Sequence, residues 1–193
     1  MKFGLGLIAI ALALPGGFVC AAEEPKVLAT VKPLPVALNR DFEFRKTKLF
    51  LMSEKAPGVR EKVSKNAAKI SDVGPSKSTT AGQDASITFE RQYRLFGAVT
   101  KLDQHQRFGD YFDFFWRARR PADLTVRLEY RQENLHAHVQ AQEISYASVH
   151  GRHKTEFKVI GDDYFDGGRV IAWRCSLIEN GRIVAENRSF MWE

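Results

Sequence analysis

The chain has 193 residues, 29 Lys and Arg against 23 Asp and Glu, a formal charge of +6, and only two cysteines. Two cysteines exclude a disulfide-dense scaffold, and the roughly 170 residues left after a leader suffice for one domain with a real core. The charge is unevenly placed: residues 23–77 hold 12 Lys/Arg against 7 Asp/Glu, whereas residues 78–193 hold 16 of each.

Residues 1–22 read as an export signal. Lys2 is the positive n-region, residues 3–14 form an uncharged apolar run, and Pro15-Gly16-Gly17 breaks the helix before a series of small residues. Signal peptidase admits small side chains at −3 and −1, so Val19-Cys20-Ala21 or Cys20-Ala21-Ala22 serves and the mature chain begins at Ala22 or Glu23. The alternative is a lipoprotein acylated on Cys20, but Gly17-Phe18-Val19 stand where a lipobox has Leu at −3 and Gly or Ala at −1. The apolar run is also short for a retained anchor, so no transmembrane segment is expected after cleavage. Loss of Cys20 leaves Cys175 without an intrachain partner. A disulfide-free exported domain of this size fits a bacterial periplasm or cell surface. On that reading the sequon Asn187-Arg188-Ser189 is incidental, and it falls within an expected strand.

Residues 23–86 read as a basic, Pro-, Lys- and Ser-rich segment and linker. Pro25, Pro33 and Pro35 favour extended backbone over residues 23–40. Residues 41–52 are apolar enough to pack as a strand or a short helix, and periodicity does not decide. Val59, Val63, Ala67 and Ile70 share one helical face and predict a short amphipathic helix over 58–70. Residues 71–86 are nearly devoid of apolar side chains and predict a linker, with a domain boundary near Ser86. The basic excess could draw the segment to an anionic polymer. Between Glu54 and Lys77 no aromatic residues interleave with the lysines, so nucleic-acid binding is not expected and a solvated, solubilising stretch is.

From Ile87 the apolar period becomes two. Phe112, Phe114, Trp116 and Ala118 form one inward row, Leu124, Val126, Leu128 and Tyr130 a second, and Ile171, Trp173, Cys175 and Leu177 a third. Turn signals fall at Arg120-Pro121, Asn134, His150-Gly151, Asp166-Gly167-Gly168 and Asn180-Gly181. Seven strands are predicted, at 87–100, 110–119, 123–133, 138–149, 153–160, 168–178 and 182–192. No helical crossover separates them, which requires antiparallel pairing for most neighbours. At the last hairpin a three-residue loop, pairing Leu177 with Ile183 and Cys175 with Ala185, keeps charge off the core face better than a two-residue turn.

Seven short antiparallel strands over residues 87–193 resemble an immunoglobulin-like or fibronectin-III-like β-sandwich of an exported bacterial protein. The resemblance is architectural, without the paired cysteines of an antibody domain. It implies an all-β fold of two packed sheets with Trp116 or Trp173 as the central core tryptophan. Such sandwiches carry adhesion, carbohydrate-binding, scaffolding and chaperone roles, so the fold alone implies no function.

The chemical constellations are weak. His136 and His138 at one strand end, and His150 and His153 at the other, supply two ligands per pair, so no metal site is expected. Asp162, Asp163 and Asp166 resemble a calcium loop superficially, but counted from Asp162 the third position is Tyr164 and the twelfth is Trp173. Cys175 sits on an apolar row, where a thiol is a core filler. Neither a nucleophile elbow, a phosphate-cradling glycine loop, HExxH nor CxxC is present, so no catalytic residue and no cofactor are assigned. The remaining candidate is a binding platform. Tyr111 and Phe115 lie on the strand face opposite Phe112, Phe114 and Trp116, with Arg117 and Arg119 beside them, and suit a sugar ring or a partner protein if that face is solvated. The competing expectation is that residues 41–52 cover it. Together these readings point to an exported, non-enzymatic binding or structural module of the bacterial envelope, with an envelope protein or polysaccharide as partner. The alternatives are a carbohydrate-binding module and an unrecognised hydrolase.

Overall fold

The computed structural model describes residues 24–54 and 80–192. The export signal with Cys20, the helix expected over 58–70 and residues 71–79 of the expected linker lie outside them. In chain order the elements are β1 (Lys26–Leu28), β2 (Phe42–Met52), α1 (Thr80–Leu95), α2 (Lys101–His105), β3 (Gly109–Gln132), β4 (Val139–Ile160), α3 (Asp162–Gly167), β5 (Val170–Glu179) and β6 (Arg182–Arg188), with a 3-10 turn (Glu133–Leu135) between β3 and β4. The six strands form one antiparallel sheet in the order β1-β4-β3-β5-β6, with β2 also pairing to β3. Among the described residues no helix is long and apolar enough to cross a membrane.

The all-antiparallel expectation holds, but the strands are fewer and longer than the seven expected. The segments 110–119 and 123–133 are one 24-residue strand, and 138–149 and 153–160 are one 22-residue strand. The turn signals at Arg120-Pro121 and His150-Gly151 mark a shared bend rather than two chain reversals. Ala118 pairs with Gly151 and Ala122 with Val149, so three residues of β3 stand opposite one of β4. Pro121 has no N–H to give a ladder, and Ser148 and Gly151 adopt positive φ of 49° and 92°, which lets β4 turn with β3.

The bend folds the sheet onto itself. The first half of β3 runs between β2 and β4, and its second half between β4 and β5. Phe112 and Phe114 of the first half reach Trp173 of β5 with ring centroids 6.3 and 5.4 Å apart. A single core therefore lies between two layers of the same sheet, with Phe114, Trp116, Leu128, Tyr130, Phe157 and Leu177 fully buried in it. Burying each of these side chains contributes roughly 1.5–3 kcal/mol. Several polar groups inside are matched: Trp116 Nε1–H donates to Thr155 Oγ1 at 2.9 Å, Thr155 and Tyr146 hydroxyls share a hydrogen bond of 2.9 Å, and Gln142 donates to the Lys158 carbonyl at 3.0 Å. Both Trp116 and Trp173 are core residues, so neither alone plays the central role expected of one of them.

Residues 41–52, for which strand and helix stood equal, form β2 and extend the sheet along β3 with a bulge between Phe44 and Lys46. Asn187 of β6 donates to Thr47 of β2 at 2.7 Å, bringing the edges of these two strands together. The β5–β6 hairpin corrects the expected register. Glu179 pairs with Arg182 across a two-residue turn, with Asn180 and Gly181 both at positive φ, and a bulge at Val184 then pairs Leu177 with Ala185 and Cys175 with Asn187. The bulge restores the apolar face that a plain two-residue register loses.

The largest departure is at 87–100. This segment alternates well enough to predict a strand, yet residues up to Leu95 belong to α1 and the boundary placed at Ser86 falls inside that helix. Glu90 and Arg94 form an i,i+4 ion pair of 2.7 Å on it. Gly97, at φ 81°, ends it in the left-handed conformation. Thr100 then caps α2 reciprocally with Asp103 (3.1 and 2.9 Å).

Candidate functional site

The outward face of the first half of β3 presents Tyr111, Asp113 and Phe115. Strand register sets their neighbours: Phe50 and Lys158 beside Tyr111, Lys48 and Glu156 beside Asp113, and Lys46 and Lys154 beside Phe115. The face is thus a patch of alternating aromatic and charged side chains, three strands wide.

Helix α1 covers one end of this patch. The Arg94 guanidinium lies 4.0 Å from the Tyr111 ring centroid and 5.5 Å from that of Phe50, and it reaches Glu156 at 3.3 Å. Arg91 stacks on Phe108 at 5.5 Å and donates to the carbonyl of Ser53 at 2.6 Å, tying α1 to the end of β2. Arg107 donates to the carbonyls of Arg94 and Phe96 at 2.8 and 2.6 Å, satisfying the C-terminal carbonyls that a helix leaves unpaired. Beneath these guanidinium groups Met52, Phe108 and Tyr111 form a second small core. The covering expected from residues 41–52 comes instead from α1, because β2 is in the plane of the sheet.

Beyond the helix the patch opens into a cleft of about 1020 Å³ between α1 and the sheet, whose lining includes Lys48, Tyr93, Asp113, Phe115, Lys154 and Lys158. Half-buried Phe115 lies under two ammonium groups, Lys48 and Lys154, at 5.8 and 5.9 Å from its ring centroid. Lys154 Nζ stands 3.0 Å from Asp113 and 3.5 Å from Glu156, and Lys158 Nζ 3.4 Å from Glu156. Burial alone raises the Glu156 carboxyl, but Lys158, Lys154 and Arg94 outweigh it and hold the group below its ordinary value. Burial likewise lowers the Lys154 ammonium, and Asp113 and Glu156 more than reverse it. Both groups are fixed in their charged forms at neutral pH. Such a set attracts charge rather than passing protons, which demands a pKa near the working pH.

The expected platform of Tyr111, Phe115, Arg117 and Arg119 is therefore divided. Tyr111 borders the cleft but is buried under Arg94, with its hydroxyl donating to the Arg107 carbonyl at 2.6 Å, so its ring is not free to stack on a ligand. Phe115 lines the cleft. Arg117 and Arg119 are exposed further along β3 toward the bend, outside the cleft lining, with Arg119 3.5 Å from Glu43. The residues missed from sequence are Lys48, Arg94, Lys154, Glu156 and Lys158. The signal that would have found α1 was present: Phe89, Tyr93 and Phe96 recur at i, i+4, i+7 and Glu90 and Arg94 at i, i+4.

Elsewhere, among the described residues no group of three or more His, Cys, Asp or Glu side chains is placed to hold a metal ion. His153 stacks on Trp116 at 4.8 Å and contacts the His150 carbonyl at 3.0 Å, at the bend rather than at a strand end. Asp162, Asp163 and Asp166 lie on α3, the connection from β4 to β5. Cys175 is buried, and desolvation pushes its thiol well above the ordinary value. Comparison of the chain with protein-family models, with curated proteins and with solved structures gave no match.

Proposed function

We propose that this protein is an exported, non-enzymatic binding module of the bacterial cell envelope, and that the cleft between α1 and the sheet is its ligand site. The observation that carries this reading is the juxtaposition of Phe115 with Lys48, Lys154 and Lys158 on the cleft floor. An aromatic ring flanked by ammonium groups suits a saccharide ring that bears negative charge, so the ligand class is an acidic envelope polysaccharide. The export signal and the single remaining cysteine support an extracytoplasmic location. The carbohydrate-binding alternative is absorbed in narrowed form, resting on Phe115 without Tyr111.

The test is calorimetric titration with acidic and neutral oligosaccharides. Acidic chains should bind, neutral ones at least ten-fold more weakly, and Phe115→Ala and Lys48→Glu should each reduce binding while the thermal midpoint stays within a few degrees. Equal binding of neutral and acidic chains, or no binding to either, overturns the assignment. The intact mass of protein recovered outside the cytoplasm should correspond to a chain starting at Ala22 or Glu23. A retained leader or a diacylglyceryl mass on Cys20 contradicts simple cleavage.

A further inference from the structure

Helix α1 has two faces of opposite character. One is fastened to the sheet through Arg91, Arg94 and Leu95. The other carries Phe89, Tyr93 and Phe96 at 67, 71 and 85% exposure, and the next few residues add Val99 and Leu102 at 86 and 67%. The spacing i, i+4, i+7 aligns the three aromatic side chains in one stripe. Because the opposite face is tied down, the helix cannot roll to bury them. A cluster of this kind on a soluble domain marks a surface that meets something apolar.

We propose that this exposed face of α1 and α2 seats on an anionic lipid bilayer surface, with α1 lying in the plane of the interface. Three observations favour lipid. Phe and Tyr side chains on an amphipathic helix are suited to the boundary between headgroups and acyl chains. Residues 85–107 carry four Lys/Arg against two Asp/Glu, a balance of +2, with Lys101 exposed beside the apolar residues and Arg91 and Arg94 turned toward the sheet. Residues 55–79, which lead into α1, add six Lys/Arg against two Asp/Glu by sequence. The apolar stripe therefore belongs to a stretch of positive balance in the sequence, complementary to an anionic surface and of no advantage on a zwitterionic one. The helix is too short and too polar to span, so it lies on the surface. Tyr93 and Phe96 also border the cleft, so the seating is read with vesicles alone, without any cleft ligand present.

The experiment is co-sedimentation of the full chain with phosphatidylglycerol-containing vesicles and with pure phosphatidylcholine vesicles. Binding to the anionic vesicles should be strong at low salt, fall at high salt, and drop at least ten-fold in Phe89→Ser/Phe96→Asp. Both positions are exposed, so the thermal midpoint serves as the control for folding. In Phe96→Trp, emission should shift to the blue on adding anionic vesicles and be quenched by brominated lipid, against the constant background of buried Trp116, Trp173 and Trp192. Retention of the double variant equal to that of the parent chain overturns the proposal, since binding then comes from another segment. Failure of the parent chain to sediment with anionic vesicles also overturns it. A vesicle-free dimer abolished by Phe96→Asp would assign the face to a second copy of the chain instead.

Discussion

Phe114 and Trp173 meet edge to face with ring centroids 5.4 Å apart, although one belongs to the first half of β3 and the other to the strand paired with its second half. Their contact joins the two layers of one sheet, and Phe112 and Phe157 pack against the same pair. Phe114→Ala is expected to destabilise the protein by about 3–5 kcal/mol, because the surrounding rings are held by strands that cannot collapse into the space. Urea denaturation followed by tryptophan emission reads this directly. A loss below about 1 kcal/mol would mean that the layers do not share a core.

Gly109 opens β3 at φ 143°, where a Cβ would lie 2.1 Å from the Val159 carbonyl oxygen and 2.8 Å from the Ile160 Cα. Both obstacles are backbone atoms of the paired strand, so they cannot rotate away. Gly109→Ala should cost at least about 2 kcal/mol, combining strain at this φ with separation of β3 from β4. Gly151→Ala, at φ 92° with nothing within 4 Å of the added carbon, should cost less. Thermal midpoints of the two variants give the comparison, and equal losses would contradict it.

Asp110 is a half-buried carboxyl that accepts the Val170 N–H at 2.7 Å. Burial pushes it up from 3.8 to about 6, against the opposing pull of that hydrogen bond and of Arg169. Its native form thus holds a proton that the unfolded chain releases near pH 4. The associated stability is complete below that pH and is lost as pH rises through about 6, after which it stays level. Two pKa units correspond to about 3 kcal/mol. Asp110→Asn keeps an oxygen for the Val170 N–H and removes the titration, so stability between pH 4 and 7 should flatten. Denaturation midpoints across that range test it, and an unchanged slope in the variant would assign the dependence elsewhere. Glu156 acts with the opposite sign: its lowered carboxyl withdraws stability only as pH falls below the ordinary carboxylate range.

Cys175 is enclosed between the layers, and burial raises its thiol far from the reactive thiolate form. In a Cys20→Ser chain, modification by an aromatic disulfide reagent should be negligible in buffer and complete in denaturant. Rapid modification under native conditions would show that the layers open locally.

The two-residue period from Tyr111 to Leu177 was legible because half-buried strands impose it residue by residue, and the inward rows named from sequence are the buried rows apart from exposed Ile171. The strand count was not. Pro121 and Gly151 look like turns locally, and only their placement opposite one another makes them a single bend. At 87–95 both periods fit, since apolar residues at 87, 89, 93 and 95 satisfy alternation as well as a helical stripe; the Glu90–Arg94 pair and Gly97 were the discriminating marks. Phe115 was identified from its strand face alone. Its partners Lys48 and Lys154 lie 67 and 39 residues away in sequence, and only pairing of β2 and β4 with β3 brings them together.

The pairing of β2 with β3 also sets an order of events. Phe42–Met52 must wait until Gly109–Ala118, more than fifty residues downstream, has emerged to receive it. The β3–β4 hairpin, by contrast, joins neighbours in sequence and can form without help from either end of the chain. During synthesis β2 is therefore an unpaired apolar strand of eleven residues, longer than the three-residue β1 that waits for β4, and it is open to pairing with another molecule before its own partner arrives. Its lysines at 46 and 48, directed toward solvent in the finished fold, are the kind of charge that discourages such a mispairing on the way there.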